Sequence, residues 1–191
     1  MRNMKKLGVL VAVFALCAIG AANASAAQFT ASATGSLTGS VVAGAEGVQV
    51  FTTSGGQVKC TAAATTGEIK SVASEEQTVE VKYSGCTAFG FATVHITPAF
   101  YNFTANGLVH IEKSIVITVT GAGCSQTVHP QTVGTVTFIT EANGHMRVTP
   151  HVKTIAYTST GGLCGAAGNN GTYTGDSTVT RVGGGTLSFH P

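Results

Sequence analysis

The chain has 191 residues, with ten Lys or Arg against eight Asp or Glu, six histidines, five cysteines and no tryptophan. Charged residues make up only 9% of it, and three of the basic ones (Arg2, Lys5 and Lys6) fall in the first six positions. This leaves no basic footprint for nucleic acid or an anionic membrane, and no apolar run after residue 26 is long enough to cross a bilayer as a helix.

Residues 1–26 read as a secretory signal peptide. "MRNMKK" is a basic leader, "LGVLVAVFALCAIGAA" an apolar core and "NASAAQ" a small-residue cleavage region. We expect a signal-peptide helix removed after Ala26, since Ala24 and Ala26 satisfy the small-x-small rule. Cys17 follows Leu16, where a lipid-modified cysteine needs a small residue, so it is expected to leave with the signal. Residues 27–47, "AQFTASATGSLTGSVVAGAEG", are rich in small residues and read as a flexible lead-in or an edge strand. Residues 48–191 read as one β-sandwich domain. After cleavage 165 residues remain, enough for one domain with a real core. They carry seven basic and eight acidic side chains, a net charge of about −1 with histidine neutral.

Beyond the signal the pattern is that of strands. In "VEVKYSGC", Val79, Val81 and Tyr83 share one face, with Thr78, Glu80, Lys82 and Ser84 on the other. Ile115, Ile117 and Val119 repeat the alternation, as do Ile155 with Tyr157 and Leu187 with Phe189. The 29 threonines suit half-buried pleated surfaces. Three turn signals punctuate the strands: "ANG" at Ala105–Gly107, "ANG" at Ala142–Gly144 and "NNG" at Asn169–Gly171. As two-residue type I′ loops, the first two would set Phe103 opposite His110 and Ile139 opposite Val148. Glu68, Lys70, Glu75, Glu76, Glu80 and Lys82 gather much of the charge, and are expected to form a solvated hairpin guarding a sheet edge. Many short strands with such turns predict an all-β fold, an antiparallel β-sandwich of Ig-like or jelly-roll-like type.

Four cysteines lie beyond the signal, Cys60, Cys86, Cys124 and Cys164, with spacings of 26, 38 and 40. Zinc sites use close pairs such as C-x2-C, which are missing here. An even number in an exported chain predicts two disulfides. Sequential elements tend to lie side by side, which favours Cys60–Cys86 and Cys124–Cys164 over crossed pairings.

The residue types that carry chemistry form no local motif. The histidines (His95, His110, His129, His145, His151, His190) show neither H-x-H nor H-x3-H spacing, so no metal site is expected. "GDS" at Gly175–Ser177 is like the serine segment of trypsin-like proteases, but Thr178 and Val179 follow where those have glycines. Glu112 and Glu141 have nothing in the sequence to bring them together as a glycosidase pair. The Thr-x-Thr pairs recur without a fixed period, which excludes a solenoid of the ice-binding kind. The expectation is a protein that is not an enzyme and needs no cofactor.

From about Cys60 onward, "VKYSGCTAFGFATVHITPAFYNFTANG", "ITVTGAGCSQTV", "QTVGTVTF" and "YTSTGGLCG…GTYTG" resemble small exported actinobacterial proteins of unknown function. The resemblance implies an exported, disulfide-bonded β domain and no catalytic residues. A weaker likeness, in Thr/Gly/Ala/Val composition, is to fimbrial or spore-coat subunits. The resulting expectation is a secreted or cell-envelope protein acting by binding or assembly, with a cell-surface protein or polysaccharide as the kind of partner. One rival is a structural subunit whose N-terminal segment, Phe29 to Val42, stays unpacked to complete a neighbour's sheet. Others are a secreted hydrolase and a small outer-membrane barrel.

Overall fold

The computed structural model describes residues 26–191; the expected signal peptide lies, but for Ala26, outside the described residues. The first strands are β1 (Gln28–Ala31), β2 (Gly35–Val41), β3 (Gln49–Thr53), β4 (Gly56–Ile69), β5 (Ala73–Ser74) and β6 (Glu76–Ala88). Next come β7 (Ala92–Ile96), β8 (Ala99–Thr104), β9 (Leu108–Ile111), β10 (Ile115–Val119), β11 (Cys124–Val128) and β12 (Gln131–Gly134). The chain ends with β13 (Val136–Thr140), β14 (Met146–Thr160), β15 (Gly168–Thr174), β16 (Ser177–Arg181) and β17 (Leu187–His190). Single 3-10 turns occupy Ala45–Gly47 and Gly162–Cys164. This is the all-β antiparallel sandwich that the alternation predicts.

Three long strands organise it. β4, β6 and β14 run the height of the molecule and change neighbours half-way. The first half of β4 pairs with β3 and its second half with β2. β6 pairs with β8 through Glu76–Val81 and with β7 through Thr87 and Ala88. β14 pairs with β13 and β16 at its start, then β15, then β11 at its end. Because β4 also pairs with β6, one storey closes on itself in the order β4-β6-β7-β10-β11-β14-β15-β3. In the other storey β16-β2-β4-β6-β8-β9-β12 wraps the core. A small sheet, β17-β1-β5, lies beside it. Phe29 of this sheet meets Phe138 edge-on at 4.8 Å, and Phe189 packs against both.

The inward faces are apolar apart from a few buried polar side chains, among them Gln49, Thr65 and Gln126. Val79, Val81, Ile115, Ile117, Val119, Ile155 and Leu187 are buried as their alternation requires, each large aliphatic contributing about 1.5–3 kcal/mol by leaving water. Outward positions such as Thr118, Lys153 and Thr158 are polar and exposed. That sidedness is the reverse of a membrane barrel, whose lipid-facing band is apolar.

Several expectations need correction. The segment 27–47 is neither a flexible lead-in nor an edge strand: β1 lies between β17 and β5, and β2 between β16 and β4. Phe29 and Leu37 are buried, so the domain takes in this segment. Its small residues reflect close packing. A Cβ on Gly39 would come within 2.9 Å of the Thr178 carbonyl oxygen. The charged hairpin does not guard an edge either, because β4 and β6 have neighbours on both sides. Its charges face outward, with Lys82 and Glu80 paired at 3.3 Å.

Both Ala-Asn-Gly turns are three-residue loops. Phe103 faces Val109 rather than His110, and Ile139 faces Arg147 rather than Val148. Gly107 and Gly144 take φ of +85° and +79°, so each loop ends in the left-handed residue of the bulged three-residue hairpin. Asn169–Gly171 is no turn, since these residues belong to β15. Gly171 is needed there because a Cβ would stand 2.8 Å from the Ile155 carbonyl oxygen.

Candidate binding site

Strands of both storeys line a largely apolar cavity of about 130 Å³. Its walls include Phe29, Phe51, Val81, Phe103, Ile117 and Val152 with the polar side chains of Gln49, Thr65, Gln77 and Ser177, and among the described residues none that lines it carries a charge. Three of the four tyrosines reach into it: Tyr83 of β6, Tyr101 of β8 and Tyr173 of β15. Tyr83 arrives there by the same alternation that buries Val79 and Val81. Tyr101 lies opposite Val79 on one side and Ile111 on the other, so it too must point inward.

Their hydroxyls form a line. Tyr83 Oη lies 2.9 Å from Tyr101 Oη and 3.1 Å from Tyr173 Oη. Tyr173 in turn donates to Oε1 of Gln49, which is itself buried. The Gln49 amide nitrogen donates to the Gly47 carbonyl at 2.9 Å and to the Asp176 carbonyl at 3.3 Å. Space for that amide exists because residue 175 is glycine: a Cβ there would stand 2.7 Å from Gln49 Nε2. Burial, first among the causes, pushes all three tyrosine pKa values above the ordinary range. The line is therefore neutral at any physiological pH, and buried polar groups of this kind are tolerated only when hydrogen-bonded.

The fourth tyrosine has a structural task at the other end. Tyr157 Oη accepts from the Ser54 backbone N–H at 3.0 Å and donates to Asn170 Oδ1 at 3.1 Å. Close by, buried Gln126 donates to Thr53 Oγ1 and to the Cys164 carbonyl. Both disulfides have the pairing read from the sequence. Cys60 and Cys86 face each other across β4 and β6, with Cα atoms 3.9 Å apart, and Cys124 is tied to Cys164 with Cα atoms 5.7 Å apart.

The residues weighed for catalysis go elsewhere. The Asp176 carboxylate accepts from Arg147 Nε at 2.8 Å and is also paired with Nη2 of the same guanidinium. That guanidinium reaches Glu46 at 2.6 Å. Those hydrogen bonds, with Asp176 the larger influence, raise the Arg147 pKa. Ser177 sits in the β16 ladder opposite Val41 and Val148. Glu112 follows β9, whereas Glu141 opens the β13–β14 loop. His110 bonds Thr132 at 2.8 Å, His129 bonds Thr158 at 3.1 Å and His190 bonds Thr30 at 3.0 Å. Among the described residues no group of three or more His, Cys, Asp or Glu could hold a metal ion. A shallow polar recess beside β8 and β9 is lined by Glu76, Asn102, His110 and Glu112. Asn102 donates to Glu76 there at 2.8 Å, and its Oδ1 is buried without a partner among the described residues.

Sequence reasoning passed over Gln49, Tyr83, Tyr101 and Tyr173. One signal was present: a tyrosine at an inward parity position brings a hydroxyl that needs a buried partner. No family model matches this chain, and no curated protein or solved structure is similar to it at a significant level.

Proposed function

We propose that this chain is an exported, non-enzymatic binding protein whose ligand site is the cavity between its storeys. The observation that carries the reading is the line of three tyrosine hydroxyls inside a predominantly apolar, uncharged chamber. A core serving stability alone gains more from phenylalanine, because each hydroxyl must be given a partner when it leaves water. Export is supported by the leader, the apolar core and "NASAA", and by two disulfides, which persist in oxidising compartments.

The test has two parts. Intact mass of the secreted product should match a chain beginning at or near Ala27, and retention of residues 1–26 would overturn export. Purified protein titrated with benzene and phenol should show higher melting temperatures and shifted NMR signals from cavity-lining residues. An interior that responds to neither probe would overturn the binding reading.

One observation favours a second reading, contact with a cell-surface partner. Phe91 and Leu163 are 83% and 64% exposed, on the β6–β7 turn and on the 3-10 turn after β14. Both turns flank the β3–β4 hairpin: Gly56 lies beside the Phe89 ring and Gly55 beside the Cys164 carbonyl. Phe91→Ser with Leu163→Ser should leave the fold intact and release the protein from cells. Unchanged cell retention would remove this reading.

A further inference from the structure

The direction of every hydrogen bond in the tyrosine line is determined. Gln49 Nε2 faces two carbonyl oxygens, Gly47 and Asp176, which can only accept. The amide therefore has one orientation, with Oε1 as an acceptor towards Tyr173. Tyr173 spends its single proton on Gln49, so the contact between Tyr83 and Tyr173 must use the proton of Tyr83. The contact between Tyr101 and Tyr83 must then use the proton of Tyr101. All three protons are committed, and the line runs Tyr101→Tyr83→Tyr173→Gln49. Its open end is the oxygen of Tyr101, which donates once and accepts from nothing among the described residues.

We propose that the cavity binds a small neutral ring or short-chain molecule carrying one hydrogen-bond donor, of the phenol or alcohol class, whose O–H donates to Tyr101 Oη. This rests on the binding reading above and adds the ligand's chemistry to it. The size fits, since about 130 Å³ is close to the roughly 150 Å³ apolar cavity that takes up benzene. Polarity fits as well. A donor completes the line, whereas a ligand with only an acceptor finds no free proton on Tyr101, Tyr83 or Tyr173. An ion is excluded because no charged side chain lines the walls to repay its desolvation.

Phenol and toluene make the test, because they share a shape and differ in the donor. For the secreted chain, phenol should bind about three- to tenfold more tightly than toluene, the worth of one net hydrogen bond. Benzoate should not bind. In Tyr101→Phe the preference should vanish while toluene binding is kept. Equal affinity for phenol and toluene in the unaltered protein overturns the inference and leaves the binding reading standing. Binding of neither overturns both. Because loss of the Tyr101 hydroxyl frees Tyr83 Oη as an acceptor in its place, a phenol preference that survives in Y101F is decided by ring-labelled Tyr101 in the unaltered chain, and Tyr101 signals that phenol leaves unmoved overturn the inference. If Y101F does not fold, ring-labelled Tyr101 in the unaltered chain answers the same question. Phenol should move its signals and toluene should leave the carbon bearing the hydroxyl in place; identical responses to the two would be the overturning result.

Discussion

Alkali should unfold this protein through its tyrosines. Tyr83, Tyr101 and Tyr173 are neutral in the fold and have pKa values raised above 10, chiefly by burial. In the unfolded chain each ionises near its ordinary value of about 10. A folded-state pKa above the unfolded one means that the stabilising contribution is complete below pH 10. It is lost as pH rises from there towards the folded values. At pH 11 each unfolded tyrosine gains about 1.4 kcal/mol from releasing its proton, so three together remove about 4 kcal/mol. That is a large share of the roughly 5–15 kcal/mol typical of a domain. Urea midpoints of the purified chain between pH 8 and 11 measure the loss, and absorbance near 295 nm reports ionisation. We expect stability to fall steeply above pH 10, with these three tyrosines ionising only on unfolding. Tyr101→Phe should lessen the fall by about one third, since one of three protons is no longer released. Stability that is flat to pH 11, or ionisation of the three near pH 10 with the fold intact, would refute the buried line.

Two further outcomes test the packing. Phe138→Ala should cost about 3–5 kcal/mol in urea unfolding, because Phe138 is buried and packs against Phe29, Phe103 and Phe189; a loss below 1 kcal/mol would mean that the small sheet is not docked on this ring. Replacing Cys124 and Cys164 by serine should remove about 4 kcal/mol on the chain-entropy account, since the bridge closes a 40-residue separation, and non-reducing peptide mapping of the unaltered chain should return Cys60 with Cys86 and Cys124 with Cys164.

Much of this architecture was legible from local pattern. Period-two alternation identified the inward faces of β6, β10 and β14, because successive strand side chains point to opposite sides. The disulfide pairing followed from the nearness of consecutive strands. Even the two misjudged hairpins held their own correction. Phe103 and Tyr101 are inward residues, so the strand returning to them must offer Val109 and Ile111, not His110. The same logic sets Phe138 opposite Val148. A one-residue change of register reverses the faces that meet, and burial is a stronger constraint than turn chemistry.

The fold class, the inward faces and the cysteine pairing are therefore properties of the sequence by itself, because alternation and adjacency act over a few residues or between neighbouring strands. Closure of the sheet and convergence of the tyrosines belong to the tertiary structure alone. β4 meets β3 and β2 on one side and β6 on the other, and no local signal says that the path through β15 and β14 returns to it. Tyr83 touches Tyr173 across 90 positions of chain, and Tyr173 touches Gln49 across 124. Contacts so distant depend on which strands become neighbours when the sheet curls. An inward tyrosine in the sequence can announce that its hydroxyl needs a partner, but the closed sheet is what supplies one.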